Sequence, residues 1–374
     1  FQDPSTYANT GTLIVEEGAT LNGDVYLFVT EGSTEWPVEV SIAASSVNGE
    51  VLSANVPAGY IVEELNGTYT VTKGKIQDGI YQPNDNTYAV SNEDGLAWIY
   101  ANMAANNNYE GMTIELACDI TLNRAWTPLG TVDAPFAGSF DGKGYTISNL
   151  TVADIDYAAF IAFAAEDITI KDLTLENVAI QSTKHAAGVV CIGGDGITLD
   201  NITISGSIEA ANYAGGICHN ISNVRITNCV NNASVSAQRA AGIASWAASN
   251  AIISGVENHG DIMGSIGASG IAHGFAGTIT NAANHGNITS TGTEPAAGIA
   301  GVQKGASTYE YCVNYGTITS TVDNPNSSAA GILGQTPGTT ALLTYCANYG
   351  TITAEQCYAA GIAYSLYGSI NASY

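Results

Sequence analysis

Basic residues are nearly missing from this chain. It carries 9 Lys+Arg against 34 Asp+Glu in 374 residues, a formal net charge of −25. After residue 240 the only base is Lys304. Binding a phosphate backbone needs clustered cations, so the composition argues against a nucleic-acid partner, and against an anionic membrane surface for the same reason. Long apolar runs are missing too: none approaches the ~18 residues of a membrane-spanning helix. The 7 cysteines include no C-x-x-C pair and no Cys/His metal spacing, and their odd number argues against a complete disulfide framework. No H-E-x-x-H peptidase motif is present.

What abounds is glycine, at 42, with Thr, Asn, Ile and Ala dominating the second half. Since 45% of residues are apolar, this is β-rich, turn-rich composition and not disorder. Few lysines with many Thr, Asn and Gly fit a secreted or cell-surface protein, with outer-membrane anchoring as one form of it. The start at Phe1 without Met fits a removed leader.

A small-residue motif followed by a β-branched residue recurs through the second half. It begins as Ala186-Ala187-Gly188-Val189 and ends as Ala359-Ala360-Gly361-Ile362, with its glycines at 188, 216, 242, 270, 298, 331 and 361. A self-similar period of roughly 30 residues means a solenoid or an array. Within each row an apolar–x–Asn pattern places Asn149, Asp172, Asn201, Asn228, Gly255 and Asn281 at one offset. These residue types tolerate the left-handed backbone region, so the column reads as one turn repeated up a β-helix. A second column holds Asn231, Asn258, Asn284, Asn314 and Asn348. Rows ~4.8 Å apart would let these amides hydrogen-bond from one row to the next.

Three regions follow. Residues 1–75 hold short β-runs, such as Thr12–Val15, Asp24–Thr30, Val38–Ala43 and Tyr60–Glu63, and read as a small sandwich or β-array. Residues 76–108 form a linker and a capping helix over 91–105. Ser91 and Asp94 resemble a capping box there, and Leu96, Ile99, Tyr100 and Met103 make one stripe. Residues 109–374 form the solenoid. The expected fold is all-β: a right-handed parallel β-helix with an N-terminal β-region and a short helical cap.

Some of these residues carry a resemblance. The segment from Phe136-Ala-Gly-Ser-Phe140 to Ile147-Ser-Asn-Leu150, with the upstream Ala89–Leu96 and Trp126-Thr-Pro-Leu-Gly130, resembles the opening of bacterial surface proteins with GLUG-type repeats. Rows such as Ala296–Gly301 followed by Cys312-Val-Asn-Tyr-Gly-Thr-Ile318 are similar to the repeat itself. The resemblance spans about 88–374. It implies a right-handed parallel β-helix in a secreted or surface protein of gut bacterial type, and it implies no activity.

Candidate functional residues are few. The densest acidic stretch is Asp154, Asp156, Glu166, Asp167 and Asp172. It could serve a polysaccharide-active β-helix enzyme, which needs facing carboxylates. Asp172 falls against Asp200 or Asn201 on the next row; if Asp172 and Asp200 stack, like charges ~5 Å apart would favour a cation, with calcium as the one expected. Otherwise no cofactor is expected. His259 and His285 share a column with Tyr315 and Tyr349, so the column takes flat rings. His185, His219 and His273 show no partners in the sequence, and Arg225, Arg239 and Lys304 look isolated. Tyrosine concentrates after residue 300, where Tyr311 and Tyr345 replace the turn asparagines. Exposed Tyr stacks on sugars and anchors protein interfaces. Tyr311, Tyr345, Tyr315 and Tyr349 are therefore the candidate binding residues. The expected function is non-enzymatic: adhesion or binding of a glycan or a host or bacterial surface protein. The C-terminal end is expected either to self-associate or to be covered by its own Tyr-rich segment. A structural spacer for a further domain is the other alternative.

Overall fold

The computed structural model describes residues 75–321, 327–355 and 357–374, and between residues 21 and 73 short strands only. The chain divides into two compact units, Phe1–Ala89 and Val90–Tyr374. In the first, Leu21–Asn22 pairs in parallel with Val47–Asn48, and Val25–Leu27 with Val51–Ser53. Tyr60–Leu65 and Thr68–Lys73 form an antiparallel hairpin that also pairs Ile42–Ala43. The expected strand Thr12–Val15 lies outside the described residues.

The second unit is a parallel β-solenoid of ten coils. One inward column runs its whole length: Ile114, Phe140, Ile170, Leu199, Ile226, Ile253, Ile279, Tyr309, Leu343 and Ile370. The first nine are fully buried, and Ile370 in the last coil is partly exposed. Burying each such side chain stabilises by roughly 1.5–3 kcal/mol, which explains why a large apolar residue returns at the same point of every coil. The small-residue motif forms a second column, with Ala158, Ala186, Ala214, Ala240, Ala268, Ala296, Ala329 and Ala359 in register. Its glycines are demanded by close approach. A Cβ on Gly270 would collide with the Gly298 carbonyl of the next coil and with the amide carbon of Asn284.

That amide belongs to a third column, whose chemistry changes partway along. It begins as Ile120, Ile147, Leu175 and Ile204, then becomes Asn231, Asn258, Asn284, Asn314 and Asn348. Four of the asparagines are completely buried. Each Nδ2 donates to the next coil's Oδ1, at 2.7 Å from Asn231, 2.8 Å from Asn258, 2.7 Å from Asn284 and 2.7 Å from Asn314. The second N–H of each donates to a carbonyl two residues on, as from Asn284 to Gly286 at 2.9 Å. A buried amide is tolerable only when so satisfied.

The turn column is left-handed as its composition implies. Asp172, Asn201, Asn228, Gly255, Asn281, Tyr311 and Tyr345 all have positive φ, between 51° and 64°. Asn149 does not belong with them. Ile147 pairs with Leu175, so Asn149 stacks with Asn177 at another corner, where Asn177 Nδ2 donates to Asn149 Oδ1 at 2.8 Å. The apolar–x–Asn pattern occurs at two corners of these early coils, and spacing alone cannot separate them.

The helix spans Glu93–Ala101, and its N-cap is Asn92 instead of Ser91: the Asn92 side chain accepts from Gly95 N. Leu96, Ile99 and Met103 are buried, whereas Tyr100 is exposed. The helix is tied to the first coils. Glu93 accepts from the Asn123 and Arg124 backbone, and the Arg124 guanidinium lies 2.6 Å from Asp94.

Candidate ligand-binding face

In the later coils the outward positions of one corner turn aromatic. Period-2 alternation sends Cys312 and Asn314 into the core and leaves Tyr311, Val313 and Tyr315 pointing out. The next coil repeats this with Tyr345, Ala347 and Tyr349. Two ring ladders result. Tyr311 and Tyr345 stack at 5.2 Å with planes 11° apart. The other ladder runs from His259 through His285 and Tyr315 to Tyr349, at centroid steps of 4.6, 4.8 and 5.5 Å. Tyr374 closes it edge-on, its hydroxyl 2.8 Å from that of Tyr349. All four candidate tyrosines are 50–58% exposed. Four residues of extended chain separate the ladders by roughly 13 Å, with Val313 and Ala347 between them.

Stacking consumes ring faces. Within each ladder the rings cover one another, so the surface offers mainly ring edges and hydroxyls. The outer face of Tyr345 meets no ring among the described residues, because the next residue in its column is Ala372.

The acidic residues do not converge. Asp172 is opposite Asn201, and Asp200 is opposite Lys171, so of the two registers the Asn201 one holds and Asp172 and Asp200 do not stack. The Asp172 carboxylate accepts from Asn201 Nδ2 at 2.7 Å and Lys171 Nζ at 3.1 Å, which together hold its carboxyl below the ordinary range. Asp200 instead accepts from Thr227 and Asn228. Asp156 is paired with Lys184, whose ammonium, with the Thr183 hydroxyl, lowers its pKa. Asp154 borders a different feature, a shallow trough of about 620 Å³ lined by Gln181, Glu209, Gln238 and Thr291.

A further cluster escaped the sequence reading. Arg239, expected to be isolated, makes a bidentate pair with Glu294 at 2.8 and 2.7 Å and lies 5.3 Å from the Tyr213 ring centroid. Lys304 sits 4.9 Å over Trp246. His185 and His219 stack at 4.7 Å, and His219 Nδ1 lies 2.8 Å from Ser245 Oγ. His273 bridges Glu294, at 2.8 Å through Nε2, and Ser269, at 3.2 Å through Nδ1. Ser, His and Glu in a row resemble a hydrolytic triad, but Ser269 and His273 are buried and a nucleophile must be reachable. A Cβ on Gly267 or Gly301 would fall on the His273 ring, so its own coil and the next one cover it. Burial raises the Glu294 carboxyl, yet hydrogen bonds from His273 and Arg239 bring it down to about 2. Burial, with His185 nearby, pushes the His219 imidazole down to about 3. Apart from Ser269 and His273, which are four residues apart, these partners are 21–55 residues apart in sequence.

The architecture defines the class: a parallel β-solenoid with an amide-lined corner and outward aromatic ladders. No protein-family model matches the chain. Over 231 residues, 56% of this chain, it is 27% identical to halomucin of Haloquadratum walsbyi, and it spans 2% of that protein's length. It superposes with a TM-score of 0.54 on a Bacteroides ovatus structure provisionally assigned as an immunoglobulin A1 protease. That match has 20% identity and covers 76% of this chain and 86% of the other. Likeness at this identity establishes the fold and no activity. Among the described residues, no helix is long and apolar enough to cross a membrane.

Proposed function

We propose that this chain is a non-enzymatic, extracellular β-solenoid with GLUG-like repeats that binds a glycan through the ring ladders of its last coils. One observation carries the reading: Tyr311, Tyr345, Tyr315 and Tyr349 are half-exposed on a rigid face, with the small apolar Val313 and Ala347 between them. Aromatic edges and hydroxyls held in fixed register recognise polyhydroxylated or amphipathic ligands at little entropic cost. The solenoid likeness to a bacterial protein and the stretch shared with halomucin support an extracellular setting. The enzyme reading draws less support, because Asp156 and Asp172 are each tied to a lysine.

The test is binding to an array of host and dietary glycans, with depolymerisation followed on the same samples. Retention without cleavage, weakened at least about tenfold (~1.4 kcal/mol) in the Tyr311→Ala/Tyr345→Ala double variant, supports the proposal. Cleavage refutes it. Silence on all glycans also refutes it and leaves a protein-binding adhesin, self-association at the last coil, or a spacer.

A further inference from the structure

At the foot of the longer ring ladder, Glu257, His259 and His285 bring one carboxylate and two imidazoles together on adjacent coils. Their donor atoms all lie within 4.8 Å of one another. Glu257 Oε2 and His259 Nε2 are already 2.8 Å apart. The two rings are parallel to within 2°, with centroids 4.6 Å apart. A tetrahedral ion with bonds of ~2.0–2.2 Å needs donors separated by roughly 3.4 Å. The group is therefore within about 1–1.5 Å of a coordination shell. All three side chains are exposed, so closing that gap by rotation disturbs no core packing.

From this geometry we infer that Glu257, His259 and His285 form a three-ligand site for a borderline divalent transition ion, such as zinc, with the fourth position open to water. Two imidazoles with one carboxylate disfavour calcium and magnesium, which take all-oxygen shells. No fixed cation competes. The only base after residue 240 is Lys304, which is engaged over Trp246. The solenoid holds the ligands on paired strands, Glu257–Asn258 and Ala283–Asn284, so the site needs little folding on binding. The site adjoins the glycan face, since His285 stacks on Tyr315 at 4.8 Å, but none of its ligands is one of the four tyrosines.

The column supplies its own control. Tyr315 and Tyr349 occupy the positions equivalent to His285, and Ala283 the position equivalent to Glu257. His285→Tyr and Glu257→Ala therefore keep residues the coil already accepts while removing a ligand. Zinc is titrated into the full chain by calorimetry, and cobalt by visible absorption. The expected result is one equivalent of zinc bound at micromolar concentration. Either variant should weaken it more than about tenfold, with melting temperature unchanged. No binding, unchanged affinity in both variants, or a cobalt–thiolate band reporting capture by one of the seven free cysteines would each overturn the assignment.

Discussion

Asn284→Ala is the sharpest test of what holds the later coils together. Asn284 sits mid-ladder and completely buried. It accepts from Asn258 at 2.8 Å and donates to Asn314 at 2.7 Å and to the Gly286 carbonyl at 2.9 Å. Truncation deletes three hydrogen bonds worth about 1 kcal/mol each. It also strands Asn258 Nδ2, Asn314 Oδ1 and the Gly286 carbonyl away from water, at about 1–3 kcal/mol for a group that finds no new partner. The expected loss is about 3–6 kcal/mol. Asn348→Ala, at the half-exposed end, removes a single inter-coil amide bond and lets water replace the rest, so about 1–2 kcal/mol is expected there. Urea unfolding by far-UV circular dichroism gives both numbers. Amide exchange at Gly286 and Gly316 shows whether the loss is confined to neighbouring coils, as a quasi-one-dimensional structure requires. If Asn284→Ala costs under about 1 kcal/mol, or no more than Asn348→Ala, the claim that these buried amides depend on one another is wrong.

Other outcomes follow from the same geometry. Gly270→Ala puts a methyl group against the Gly298 carbonyl and the Asn284 amide and should cost more than about 3 kcal/mol. Gly361→Ala, at the same motif position with nothing within 4 Å, should change stability by less than about 0.5 kcal/mol; two denaturation curves decide it. Acid should weaken the fold. The folded pKa values of His219 (about 3) and Glu294 (about 2) lie below their unfolded values of about 6.5 and 4.3. The unfolded chain therefore binds more protons between the folded and unfolded values, and stability is full above pH 6.5 and falls as pH drops towards 3. Melting temperature against pH should slope down across that window, and His219→Gln should flatten its upper part. A flat profile in the parent chain would refute the burial argument.

Much of the solenoid was legible because its constraints recur. Each coil needs one large apolar residue, one close-approach glycine and one left-handed turn, so Ile253, Gly270 and Asn281 each had counterparts a coil away. The inter-coil amide bonds were readable for the same reason. Asn149 was misplaced because two corners of the early coils use the same three-residue pattern. Whether Asp172 faced Asp200 or Asn201 stayed open because a one-residue slip in register leaves every column looking equally periodic. The capping role of Asn92 was masked by Ser91 beside it. The Arg239–Glu294–His273 cluster was invisible for a different reason. It occurs once, and it is assembled from three coils by glycines at 267 and 301 that leave room for a ring. The tyrosines stood out as a departure from the repeat, whereas the covering of their faces by one another emerged only from the ring geometry.

The amide column also works as an index mark. Successive members are 27, 26, 30 and 34 residues apart, yet every pair meets at 2.7–2.8 Å. Chain length between marks is thus free to vary while the phase of each turn is reset at the same corner. Insertions can accumulate on the other sides without shifting the aromatic face a single step, which separates what the surface displays from what keeps the coils in step.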